Sequence, residues 1–222
     1  RTPQPVWCAF PFLTALLAIA ADVWDVVEVK RLLDSKVKVW RYLCEALGIK
    51  CTEPAKKALK TTLYAMFFGM RRFRLRRLLN DALRDSTAFD RFMQVDVIQA
   101  LYRARTRKMN EIRAAGRAED DFGNVLTTDQ YKPRSISAQL MQSKEMMLLS
   151  PVLEIAEQEQ NNSHGMSVML YQHDGFSFRV HSKGDEKKWQ DRLAEAVQRK
   201  AADMRICTEL EFDPDLRCSG ED

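Results

Sequence analysis

The stretch "MLYQHDGFSF", residues 169–178, constrains the fold of this chain more than any other. Val168 to Tyr171 and Phe176 to Val180 are apolar and aromatic runs with strand character, and Asp174-Gly175 sits between them. Asp-Gly in that setting makes a tight hairpin turn, because both central residues tolerate positive φ. On this pattern alone, Asp174 is a turn former and His173 its half-exposed neighbour.

Most of the remaining chain reads as helix. It has 222 residues but only eight glycines and seven prolines, and many Ala, Leu, Arg, Glu and Met residues. That length suits one substantial domain or two small ones. Residues 25–33 and 37–47 read as short helices, the second ended by Gly48. Thr52-Glu53-Pro54 is a helix start: a capping hydroxyl, an acid in the first turn, and a proline where no amide is needed. The helical pattern then runs to about residue 83. Ser86 or Thr87 caps a further helix to about residue 115, with Gly116 as its stop. "DDFGNVLTTDQY" predicts turns and short strands. A helix over 135–160, the hairpin over 166–181, an amphipathic helix over 185–204 and a last strand over 206–212 complete the chain. Helices followed by hairpins and helices make an α+β protein. Three regions follow: N-terminal helices over 1–51, a basic helical region over 52–117, and a mixed region over 118–222.

The cysteines, at Cys8, Cys44, Cys51, Cys207 and Cys218, are odd in number and include no Cys-x-x-Cys. That argues against a zinc site or a secreted disulfide framework, and reduced thiols in a cytosol fit best. The N-terminal run "CAFPFLTALLAIAADVW" contains Ala18-Ile19-Ala20, the pattern of a signal-peptide cleavage site. It is too short to span a bilayer, and an apolar helix packed in a core explains it equally well.

Charge is unevenly spread. Residues 56–117 hold 16 basic and five acidic side chains, a net of +11, while the chain as a whole carries +4. An excess of that size suggests a polyanionic partner, most often nucleic acid. Within it, Lys56, Lys60, Tyr64, Phe68 and Arg72 recur every four residues and form one stripe on a helix. Two lysines one turn apart near a helix N-terminus suit a chain of phosphates. Aromatic rings further along can stack on a nucleobase, and Gly69 permits close approach. The alternative is that the lysines are solvated and the two rings belong to the core.

Lys60-x3-Tyr64-x3-Phe68-Gly69 resembles the fingers motif of family A DNA polymerases, Lys-x3-Phe/Tyr-x3-Tyr-Gly, with Lys56 at the place of a family arginine. Arg134 and Gln142 resemble the ends of the family's Arg-x3-Asn-x3-Gln helix, with Ala138 replacing the asparagine. His173-Asp174-Gly175 resembles the palm motif His-Asp-Glu, with Gly175 replacing the glutamate. The three motifs occur in family order. The resemblance covers roughly residues 15–212 and implies a helical fingers subdomain joined to a palm, whose small antiparallel sheet is backed by helices. It implies nucleotide contacts at Lys56, Lys60, Tyr64, Phe68 and Gly69. Primer-template contacts are implied at Arg134, Gln142 and Arg72, a primer-end contact at His173, and a catalytic metal ligand at Asp174. It further implies primer-template DNA, deoxynucleoside triphosphates and two Mg²⁺ ions in the complete enzyme, no membrane association, and a bacterial or phage-infected cytosol. Thumb, exonuclease and first palm strands have no counterpart in the sequence, so the expectation is a truncated, phage- or mobile-element-like polymerase fragment.

A two-metal mechanism needs a second carboxylate. In the family it opens an Asp-x4-Glu-Leu-Arg segment after a palm strand. Alignment with "LLAIAADVW" sets Phe10 at the Asp, Ala15 at the Glu and Leu17 at the Arg, and no Asp or Glu precedes Asp22. The resemblance therefore implies little or no polymerase activity for these residues alone. The competing expectations are a non-catalytic nucleic-acid-binding relative, a single-subunit RNA polymerase fragment, and an exported helical protein unrelated to polymerases.

Overall fold

A computed structural model describes residues 6–9, 12–35, 37–172, 175–182, 184–206 and 211–213, with side chains described for 17–35, 37–170, 176–182 and 184–206. Its elements run β1 (Val6–Ala9), α1 (Phe12–Val23), α2 (Val27–Asp34), α3 (Val39–Ala46), α4 (Glu53–Phe67), α5 (Arg72–Leu83), α6 (Ala88–Gln94) and α7 (Asp96–Ala115). Then follow β2 (Arg117–Glu119), β3 (Val125–Thr127), α8 (Pro133–Glu159), β4 (Met166–Gln172), β5 (Gly175–Val180), α9 (Glu186–Asp203) and β6 (Glu211–Asp213). The class is α+β, as the sequence predicts. Two compact units are present: residues 16–143, and residues 1–15 together with 144–222.

The first unit is helical apart from the β2–β3 hairpin. Its centre is Trp24, which is 2% exposed and lies edge-on to Phe67 with ring centroids 5.2 Å apart. The Trp24 indole donates to Ser137 Oγ at 3.3 Å, and its carbonyl accepts from Arg107 Nη2 at 2.9 Å. One residue thus joins the end of α1 to α4, α7 and α8. A second cluster, Ile112, Ile136 and Leu140, packs with Val23, Ala118 and Leu126.

Two long helices expected from the sequence are each broken in two. The pattern over 52–83 stops at Phe67 because Gly69 adopts φ +86°. The Met70 amide donates to Ala65 O at 2.8 Å and the Gly69 amide to Met66 O at 3.2 Å, the paired bonds with which a glycine closes a helix C-terminus. The pattern over 86–115 divides at Val95, whose extended backbone (φ −68°, ψ 123°) ends α6 and precedes α7. Thr87 precedes α6 without capping it through its side chain. Instead the Asp85 carboxylate accepts from the Thr87 amide and hydroxyl, both at 2.8 Å. Gly116 stops α7 with φ +70°, as expected.

The second unit holds a four-stranded sheet in the order β4-β5-β1-β6, with every pairing antiparallel. The expected hairpin is β4–β5. Gln172 pairs with Gly175, which belongs to β5, and the expected Asp174-Gly175 turn falls partly outside the described residues. Phe176, Phe178 and Val180 are buried at alternate positions of β5. Helix α9 buries Trp189, Leu193, Val197 and Ala201, one stripe spaced by four. Strand β1 is new: Cys8 and Ala9, read from sequence as the start of an apolar helix, lie in a strand whose Ala9 pairs with Gly175. Of the strand expected over 206–212, Ile206 is not in a strand, Glu211 and Phe212 lie in β6, and 207–210 are outside the described residues. No helix among the described residues is long and apolar enough to cross a membrane.

Candidate nucleic-acid interface

Helix α4 begins as its sequence dictates. Thr52 Oγ1 accepts from the Ala55 amide at 3.4 Å, and Pro54 lies in the first turn. The helix turns Ala55, Ala58, Leu59, Thr62, Leu63, Met66 and Phe67 into the core. The stripe Lys56, Lys60, Tyr64, Phe68 lies off that face. Tyr64 and Phe68 are half-buried, with ring centroids 5.1 Å apart at 37°. These rings are therefore not the helix's core contribution; they form an aromatic ledge beside it.

Lys56 Nζ donates to Glu53 Oε1 at 2.7 Å, a contact that raises the lysine above its ordinary pKa. Glu53 is 85% exposed, so the pair is a weak surface one that an incoming polyphosphate can replace. Lys60 is exposed one turn further on.

Gly69, at the other end of α4, is where three helices meet. A Cβ there would lie 3.3 Å from Arg134 Cβ, 3.4 Å from Arg105 Nη2 and 3.5 Å from Arg134 Cδ. The structure thus brings the last residue of the lysine motif against the first residue of the Arg134/Gln142 pair. Arg134 is exposed at the start of α8, and Gln142 is half-buried further along the same helix. Eight residues separate them, about 12 Å of helix and close to the same face.

Arg72 departs from expectation. The turn at Gly69 ends the stripe, and Arg72 starts α5 with its guanidinium 6.0 Å from the Phe89 ring centroid. His173 and Asp174 lie outside the described residues. Among the described residues no group of three His, Cys, Asp or Glu side chains could hold a metal ion. Burial, helped by the neighbouring Cys51 thiol, pushes the Cys44 thiol up to about 12, so it offers no thiolate at neutral pH.

One residue was missed from sequence: Arg105. It lies on the buried side of α7 with Leu101 and Met109 as its neighbours four residues away, and is itself 8% exposed. The signal was present, since an arginine at an apolar position of a helical repeat breaks the pattern. It was hidden among the many arginines of a basic region.

No family model and no curated protein matches the sequence. A solved structure does match: the POL domain of Pol1 from M. smegmatis in complex with DNA primer-template and dNTP. The TM-score is 0.72 at 12% sequence identity, over 96% of this chain and 39% of that one. The chain therefore spans well under half the length of its structural neighbour. With nine helices and two small antiparallel sheets among its described residues, it has the fold of part of a family A polymerase domain.

Proposed function

We propose that this chain is the fingers-and-palm portion of a DNA-directed DNA polymerase. It binds primer-template DNA and deoxynucleoside triphosphates, in the cytosol of a bacterium or its phage-infected host. The helical unit holds the fingers-like basic region, 52–117, and the sheet unit the palm. The observation that carries this reading is the α4 stripe: two cations near the helix start, then two paired rings, then a left-handed glycine. Lys56 and Lys60 take the triphosphate, Tyr64 and Phe68 meet sugar and base, and Arg134 and Gln142 hold the duplex.

The metal chemistry is less complete. Two Mg²⁺ ions would supply activation of the primer hydroxyl and stabilisation of the leaving pyrophosphate. Asp174 is the one ligand the motif offers. The strand beside β5 contributes Val6, Trp7, Cys8 and Ala9, none with a carboxylate. Ala9, the residue before Phe10, pairs with Gly175, the residue after Asp174. This pairing supports reading the metal site as one without its second carboxylate. The donor set does not complete a two-ion site, and these residues alone are expected to incorporate little or no nucleotide.

The same observation supports a second reading, a nucleic-acid-binding relative without catalysis. Anisotropy of a labelled primer-template separates the two. Binding should weaken steeply with salt and tighten with the complementary deoxynucleotide. Failure of the nucleotide to tighten binding favours the second reading. Robust Mg²⁺-dependent primer extension that is lost in Asp174→Ala would overturn the expected inactivity.

A further inference from the structure

We propose that Arg105 is an anion-binding residue: beside Arg134 and the exposed edge of Gly69, its guanidinium takes a phosphate, which in the function proposed above is a backbone phosphate of a bound strand. The phosphate identity rests on that function; the anion site does not.

Four observations converge on it. Arg105 occupies an apolar position of α7, and more than nine-tenths of its surface is buried. Its Nε has no hydrogen-bond partner among the described residues. The neighbour that eases its charge is Tyr102, whose ring centroid is 5.7 Å away. A guanidinium does not escape this cost by deprotonating, since it stays charged at any physiological pH. A buried guanidinium nitrogen without an acceptor is a cost that a leucine or methionine at this position would avoid.

The geometry shows where the missing acceptor fits. Arg105 Nη2 and the Arg134 side chain approach the same point, the place a Cβ of residue 69 would fill. Gly69 is half-exposed and Arg134 exposed, so this point lies at the molecular surface. An anion at this point meets Arg105 Nη2 and lies beside the aliphatic part of the Arg134 side chain. On the planar guanidinium edge that carries Nε and an Nη side by side, Nη2 is the nitrogen that faces this point and donates to a phosphate oxygen. Gly69 keeps a side chain out of this point, where one would be strained at φ +86° as well as crowded.

A strand phosphate fits better than a nucleotide's triphosphate. Gly69 is nine residues beyond Lys60, about 13 Å along the helix axis. A triphosphate gripped at Lys56 and Lys60 does not reach the far end of α4.

The test compares the full chain with Arg105→Met, which keeps bulk and removes charge. Thermal unfolding is followed with inorganic pyrophosphate as the probe, and primer-template affinity is measured across a salt series. Pyrophosphate should raise the midpoint of the wild type more than that of Arg105→Met, in which Lys56 and Lys60 remain to bind it. The slope of log affinity against log salt should fall by about one in the variant. Equal pyrophosphate responses and equal slopes overturn the proposal. A response that depends on Arg105 without primer-template binding in either protein supports the anion site and sinks the nucleic-acid function. If the complementary deoxynucleotide alone reproduces the Arg105-dependent shift, the strand assignment is overturned. Should Arg105→Met fail to fold, Arg105→Lys keeps the charge but loses the fork. A weakened pyrophosphate response then supports the proposal, and an unchanged one overturns it.

Discussion

The two ends of the candidate machinery are differently equipped. In the helical unit, α4, α7 and α8 bring cations, rings and a left-handed glycine together. At the hairpin end of the sheet unit, Gly175 pairs with Gln172 on one side and with Ala9 of the apolar strand β1 on the other. Holding a polyanion and transferring a nucleotidyl group make separate physical demands. The first needs convergent donors, and the second needs rigid carboxylates that bring two metal ions together. A chain can meet the first and fall short of the second.

That contrast can be broken at several points, and the helical unit's packing gives the largest effect. Trp24→Ala removes the ring that meets Phe67 and the indole bonded to Ser137. It should cost about 3–5 kcal/mol in urea unfolding, and salt-sensitive DNA binding should be lost with the fold. Binding that persists in an unfolded variant would show that charge alone accounts for it.

Lys60→Ala should change unfolding by no more than about 0.5 kcal/mol, because the residue is exposed. It should weaken the nucleotide-dependent tightening by about tenfold or more, as expected for loss of a charged hydrogen bond worth about 1.5–3 kcal/mol. An unchanged nucleotide effect, read by the same anisotropy titration, would remove the α4 stripe from the binding site.

Gly69→Ala should destabilise by about 1–2 kcal/mol, through the unfavourable positive φ and the 3.3 Å approach to Arg134 Cβ. A neutral result in urea unfolding would mean that the junction of α4, α7 and α8 is looser than described.

The smallest effect is on acid stability. Backbone and hydroxyl donors of Thr87, then Arg91, hold the Asp85 carboxyl at about 2, below its ordinary 3.8. Its contribution is present above the unfolded value near 4 and is lost as pH falls through about 2. Asp85→Asn should therefore narrow the stability difference between pH 5 and pH 2, measured by circular dichroism. An identical pH profile in both proteins would show that this corner carries none of the acid dependence.

How much was legible differs from element to element. The start of α4 was readable because Thr52, Glu53 and Pro54 act within one turn. The stop was misread because the pattern of apolar residues resumes after Gly69, and periodicity does not register a chain reversal that keeps its phase. Arg72 was placed on the stripe for that reason. The hairpin at 166–181 was readable from alternation and a turn signal. Strand β1 was not, since Val6–Ala9 has no local strand signature and gains its conformation by pairing with β5 and β6.

Sequence by itself determined the class, the start of α4, the hairpin and the basic character of the helical region, because capping, periodicity and charge act over a few residues. Only the tertiary structure decided that Gly69, Arg105 and Arg134 meet, and that β1 lies beside the hairpin. Those facts depend on which distant segments pack or pair, and a linear pattern does not encode that geometry one residue at a time.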